Sequence, residues 1–240
     1  MTTKSRTLRI ADLRVSVERK AIKNLHLGVY PPDGRIRIAA PLGFSDAAVR
    51  VAVVTKLRWI KKQRASFAAQ AREERREMLG GESHYFLGRR YRLELVSSTG
   101  PDRVQMRNHA VEIHTKPGSD ANKRAHVLRS WYREQLKAHA APLLEKWEKL
   151  LGVSAAAWGV RRMKTKWGSC NPTARRISLN LELAKKPVRC LEYVLVHELI
   201  HLVERHHNAR FVSLLDRHLP NWRSRRSELN AAPLAVERWK

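Results

Sequence analysis

Cysteine is nearly absent from this chain: Cys170 and Cys190 are the only two in 240 residues. Two thiols make no disulfide framework, and these two lack the spacing of a zinc knuckle. Their scarcity suits a reducing compartment. Long apolar runs are missing as well. No stretch approaches the roughly 18 apolar residues of a membrane span, and the opening Met-Thr-Thr-Lys-Ser-Arg has no apolar core of signal-peptide length. These absences predict a soluble, cytoplasmic protein without a membrane partner. Repeats and low-complexity linkers are lacking too. Acidic residues are few: 22 Asp and Glu stand against 48 Lys and Arg, a formal net charge of +26. Such a field favours polyanions, whether nucleic acid, nucleotides or an anionic surface, and speaks of partners rather than fold. No nucleic-acid-binding motif accompanies it, and the charge is spread along the chain. Hydrophobic residues, at 43%, are ample for one sizeable domain or two small ones.

What is present begins with short alternating runs. Leu13 to Val17, Leu25 to Val29 and Arg35 to Ala39 read as strands, with a turn at Pro31-Pro-Asp-Gly34. This predicts an antiparallel meander with one polar face. Ser45 is placed to cap a helix from Asp46, in which Val49, Val53, Leu57 and Ile60 recur at helical spacing. The charged stretch up to Leu79 continues that long helix until Gly80-Gly81 stops it. Strands follow at Tyr85 to Leu87, Tyr91 to Val96, Val104 to Met106 and Val111 to His114. Pro117-Gly-Ser119 reads as a boundary, giving a β-rich part over 1–118 and a second part over 119–240. In the latter a helix is expected from Val127 to Leu150, ended by Gly152. A hairpin from Gly159 to Leu183, turning at Asn171-Pro-Thr, precedes the next helix. The fold class is α+β.

The chemistry concentrates at Val194-Leu-Val-His-Glu-Leu-Ile-His-Leu202. On a helix His197 and His201 are one turn apart and point the same way, a spacing at which two imidazoles grip one divalent metal, most often zinc. Glu198 is then placed to take a proton from the water the metal activates. The flanking residues are apolar nearly all round, so this is a buried core helix, and a metal offsets the several kcal/mol that burying such polar groups costs. His207 lies six residues after His201. An unbroken helix would carry it about 240° away, so the helix must end near Arg205 or His206. Asn208 is suited to cap a following helix, Ala209 to Leu219. His207 is the favoured third ligand; His206, Glu204 and Glu228 are its rivals.

With these residues in view, the chain resembles the YgjP-like metallopeptidases, zincins related to the SprT-type proteases, from roughly Leu8 to Leu229. Three blocks carry the resemblance: Arg162-Met-Lys-Thr-Lys-Trp-Gly-Ser-Cys170 with Ile177-Ser-Leu-Asn180; His197-Glu-Leu-Ile-His201 through His207 and Phe211; and Pro220-Asn-Trp-Arg-Ser-Arg-Arg226. It departs at His206, Asn208 and Val212, where the family tends to have Asn, Ser and Trp. The resemblance implies His197, His201 and His207 as ligands of one Zn2+ or other divalent ion, Glu198 as general base, and residues 119–240 as the zincin-like catalytic part. Lys164, Lys166, Asn180 and Arg223 become substrate-facing candidates by their place in the blocks. The hairpin before the metal helix becomes the edge to which a peptide adds as a strand.

A metal-dependent hydrolase follows, foremost a zinc metallopeptidase, since three protein ligands leave a position for water. Two alternatives remain. The same centre suits attack on a phosphoanhydride, with a nucleotide as substrate. From another class comes a basic nucleic-acid-associated protein or a DNA-proximal protease, with weak, salt-sensitive nucleic-acid binding through the basic surface.

Overall fold

The computed structural model describes residues 5–30, 34–69, 77–163 and 166–231. Its contacts divide the chain into two compact units, Met1–Arg72 and Glu73–Lys240. The division thus falls well before the 118/119 boundary expected from Pro117-Gly-Ser119. The reason is packing: Leu93, Val111 and Ile113 of the second β-rich stretch share one core with Val127, Leu128 and Trp131 after the supposed boundary.

In the first unit, strands β1 (Ser5–Ile10), β2 (Leu13–Lys20), β3 (His26–Tyr30) and β4 (Arg35–Pro41) form a sheet of order β1-β2-β4-β3. It is not the antiparallel meander expected, because β2 and β4 pair in parallel. β4 alternates strictly, burying Ile36, Ile38 and Ala40, and so takes a central place. β3, with Gly28 in its middle, goes to the edge. Helix α1 (Asp46–Thr55) starts at the expected cap, where the Ser45 hydroxyl accepts from Ala48 N at 3.1 Å. Lys56 interrupts it before α2 (Leu57–Ala69). Val49, Val53 and Ile60 meet the inward residues of the sheet. The long helix does not reach Leu79. Residues 77–79 are non-helical, with Glu77 N and Leu79 N both donating to Glu82 Oε1, and Met78 turns into the core of the second unit.

The second unit opens with β5 (Ser83–Phe86), β6 (Arg89–Ser97), β7 (Arg103–Arg107) and β8 (Ala110–Thr115), in the order β5-β6-β8-β7 with β6 and β8 parallel. Both four-stranded sheets therefore share one topology, a likeness that no repeat in the sequence betrays. Helix α3 (Ala121–Leu151) runs from an Asp120 cap to Gly152 in the left-handed region, φ 64°. A smaller sheet follows, β9 (Ala157–Arg161), β10 (Gly168–Asn171) and β11 (Arg176–Asn180), in the order β10-β11-β9. The expected hairpin is only β10–β11; β9 pairs in parallel with the far side of β11, leaving β10 at the edge. A 3-10 helix (Leu181–Lys185) leads to α4 (Val188–Ile200), then α5 (Ala209–His218) and α6 (Trp222–Ala231). No helix among the described residues is long and apolar enough to cross a membrane.

α4 is the central helix of this unit, buried through Leu191, Val194, Leu195, Val196, Leu199 and Ile200. Glu192 ties it to two neighbours. Its carboxylate accepts from Trp147 Nε1 at 2.9 Å and Lys146 Nζ at 3.1 Å on α3, and from Arg225 Nη1 at 2.5 Å on α6. Burial pushes the Glu192 carboxyl up, but those donors prevail and hold it below the usual range. A half-buried charge held by three donors is costly to orphan, which ties the helix that carries the histidines to α3 and α6.

Candidate metal centre

His197 projects from the last turn of α4 and His201 is its C-cap. The helix ends at Ile200, earlier than the Arg205 or His206 that spacing suggested. Leu202 N bonds Leu199 O and Val203 N bonds Ile200 O, each at 2.9 Å, tightening the last turn. The chain then reverses far enough for Glu204 O to lie 3.1 Å from His201 Nδ1. A carbonyl only accepts, so Nδ1 carries the proton and Nε2 presents its lone pair. His207 follows in the break, and the Asn208 side chain caps α5 as expected, accepting from Phe211 N at 3.0 Å.

The break brings His207 back over the pair. One ring nitrogen from each of His197, His201 and His207 lies within 4.8 Å of the others, and His207 Nε2 is 3.0 Å from His197 Nε2. Beneath them sits Phe211, 2% exposed, its ring centroid 4.9, 4.8 and 4.7 Å from the three imidazoles. Among the described residues the rivals are otherwise engaged. Glu204 accepts from His206 N, His206 is exposed, and Glu228 pairs with Arg189.

Burial pushes the His197 pKa down to about 3, helped by the charges of His201, His207 and Arg226, and chiefly burial lowers His201. These rings are neutral at pH 7, the form that donates to a metal. His197 Nδ1 is buried without a hydrogen-bond partner among the described residues. Three convergent imidazoles, two of them 3.0 Å apart through Nε2, fit a divalent cation.

Glu198, 6% exposed, faces the same cleft of about 410 Å³. Burial raises its carboxyl to about 7 against the Lys166 charge and a hydrogen bond from the Cys170 backbone. β10 lies directly over it. A Cβ on Gly168 would fall 2.6 Å from Glu198 Oε1 and 2.9 Å from Val194 Cγ1. Gly168→Ala should therefore displace the strand or the carboxylate. We expect ~1–3 kcal/mol of destabilisation by overpacking, measured by denaturant unfolding, together with a fall in kcat. Gly159→Ala is the control, since nothing lies within 4 Å of its Cβ position. Equal behaviour of the two variants would refute the close contact.

The substrate candidates separate. Lys166 lines the cleft with Trp167, Gly168, Ser169 and Cys170. Lys164 lies outside the described residues. Asn180 is buried and does not line the cleft. Its Nδ2 donates to Met163 O at 3.0 Å and Lys166 O at 2.8 Å, holding the ends of the β9–β10 connection. Arg223 does not line the cleft either, being paired with Asp216 at 2.5 Å and stacked on Trp222. Arg226, one turn further on, does, and no hydrogen bond or ion pair engages it among the described residues. Tyr193, Leu229 and Asn230 complete that wall. The sequence reading named Arg223 from this block and missed Arg226, because the facing of α6 depends on its contacts with α4.

The crystal structure of the metallopeptidase zymogen of Pyrococcus abyssi abylysin is similar over 39% of this chain and 98% of its own, at 19% identity and a TM-score of 0.35, too slight a likeness to carry an argument. No curated protein matches significantly. The family model for the YgjP-like metallopeptidase domain, by contrast, matches residues 23–232, which span both four-stranded sheets in whole or part and the entire histidine cluster. The chain belongs to the YgjP-like metallopeptidase family.

Proposed function

We propose that this metal-dependent peptidase is a cytoplasmic zinc enzyme in which His197, His201 and His207 hold the ion and Glu198 is the general base. The observation that carries this reading is the convergence of three imidazoles beside a buried carboxyl in one cleft. An all-imidazole donor set of three suits a catalytic zinc. When bound, the metal supplies an electrophile that polarises the scissile carbonyl and acidifies water. Glu198 accepts the proton of the attacking water and returns it to the departing amine. The Cys170 N–H orients its carboxylate. Phe211 keeps the imidazoles packed on their inner side. β10, an edge strand on the cleft, offers an extended peptide its free backbone groups. Lys166 and Arg226 line the same cleft and supply positive charge for a carbonyl oxygen that becomes negative. The free thiols of Cys170 and Cys190, pushed up to about 11 and about 12 mainly by burial, suit a reducing compartment.

The two cleft cations also favour the second reading, hydrolysis of a nucleotide phosphoanhydride. A screen of peptides and nucleotides with wild type and Lys166→Glu separates them. For a peptidase acting on neutral peptide, the reversal should change kcat/KM only a few-fold; for a phosphate-directed enzyme repulsion should lower it by about tenfold or more. Elemental analysis of the same preparation should find one zinc per chain. Hydrolysis of nucleotides alone would overturn the peptidase.

A further inference from the structure

We propose that the outward face of the first sheet is a binding platform for single-stranded nucleic acid, separate from the metal centre. β2 and β4 bury Val15, Val17, Ile36 and Ile38 against α1 and α2, which turns Arg14, Arg35 and Arg37 to the other side, where they are exposed. β1 adds Arg9 and β3 adds Tyr30 to that side.

The register makes this a pattern rather than a scatter. Arg9 stands directly opposite Arg14. Val15 pairs with Ile36, which brings the preceding residues, Arg14 and Arg35, alongside each other on neighbouring strands, and Arg35 stands opposite Tyr30. One rung across the sheet thus reads Arg, Arg, Arg, Tyr. On the next rung Arg37 stands opposite Gly28, and its guanidinium lies 5.9 Å from the Tyr30 ring centre. Gly28 is what lets that ring lie along the strand, since a Cβ there would fall 2.6 Å from a ring carbon.

Like charges facing each other across strands destabilise a sheet. Here Arg9 and Arg14 have no acidic partner among the described residues, whereas Arg6 and Arg19 at the margin are both paired with Asp46. The second sheet has the same topology and resolves the same problem internally. It carries Glu94 opposite Glu112 on neighbouring strands, and Arg107 pairs with Glu112 at 3.5 Å. The facing Arg9 and Arg14 therefore ask for an anion from outside. The first 72 residues, with sixteen Lys and Arg against four Asp and Glu, supply the field that draws one in.

The side chains of the face select the kind of polyanion. A sheet face with one ring and several guanidinium planes suits unstacked bases and a flexible backbone, the arrangement by which sheets bind single strands. Reading a duplex needs an element that enters a groove, and this face is made of side chains on the open side of a sheet. A lipid surface needs apolar side chains to insert, and this face offers one tyrosine.

The test is fluorescence anisotropy of the full-length chain with a labelled 20-nucleotide single strand, as DNA and as RNA, against the matching duplex and against anionic vesicles, over a salt series. The single strands should bind at least about tenfold more tightly than the duplex, with the DNA and RNA arms showing whether the 2′-hydroxyl adds affinity. Arg9→Gln with Arg14→Gln should weaken binding about tenfold and reduce the salt slope by about 1.4, near 0.7 for each phosphate no longer neutralised. That variant should melt no lower than wild type, because it removes a like-charge pair, and should cleave neutral peptide unchanged. Tyr30→Leu should cost about fivefold or more with the slope intact. Lys61→Gln with Lys62→Gln, which removes the same charge from α2, should stay within about threefold of wild type. Preference for duplex or vesicle, equal weakening by both double variants, or no binding at low salt would overturn the proposal.

Discussion

Glu198→Gln should leave the metal in place and remove nearly all hydrolysis, lowering kcat by about 10²–10⁴-fold, the usual contribution of a general base. The amide keeps the shape of the carboxylate, so the close approach to the Gly168 backbone survives, and its oxygen still accepts the Cys170 N–H. What it cannot do is take a proton from water. None of the three imidazole nitrogens is altered, so zinc measured by elemental analysis should remain near one per chain. Single-turnover rates on a cleaved peptide, with metal content measured on the same sample, check both halves. Normal turnover would remove Glu198 from the mechanism. Loss of metal would mean that the carboxyl, not the third imidazole, is a ligand.

Replacing His207 by Ala should empty the site, while His206→Ala should leave it nearly filled. The two residues are neighbours, yet His207 Nε2 reaches the cluster, 3.0 Å from that of His197, whereas His206 is exposed and bonded through its backbone, its N–H to Glu204 and its carbonyl to Asn208 N. Removing one of three protein ligands should weaken binding by at least the 10–100-fold typical of removing a hydrogen bond that merely supports a ligand. Competition with a chelator of known affinity measures it. Both variants should keep their fold, since Phe211 and the Asn208 cap are untouched. The reverse ranking would assign the third ligand to His206.

Much of this centre was legible because it is local. The i, i+4 spacing of His197 and His201 fixes their common direction, and Asn208 announces the second helix, since a cap needs only its own turn. That a break must fall between them followed from helical geometry. Its position did not: α4 stops at Ile200 because His201 Nδ1 meets Glu204 O, a contact formed only after the chain has reversed. The strands were found where apolar residues alternate. β1 was missed because its alternation rests on Leu8 and Ile10 alone.

Periodicity says that a residue faces inward but not what it faces. The sequence by itself determined the Ser45 and Asn208 caps, the histidine pair and the α+β class, the first two set by interactions a few residues long. Tertiary structure decided the rest. It set the parallel pairing inside both four-stranded sheets, because strand order depends on which strand buries both neighbours. It moved the unit boundary to 72/73, because one core binds the second sheet to α3 and α4. It chose Arg226 over Arg223 for the cleft, because α6 is turned by its packing on α4. It also gave Gly168 its purpose, since a glycine in a short strand means nothing until a buried carboxylate lies 2.6 Å from where its side chain would begin.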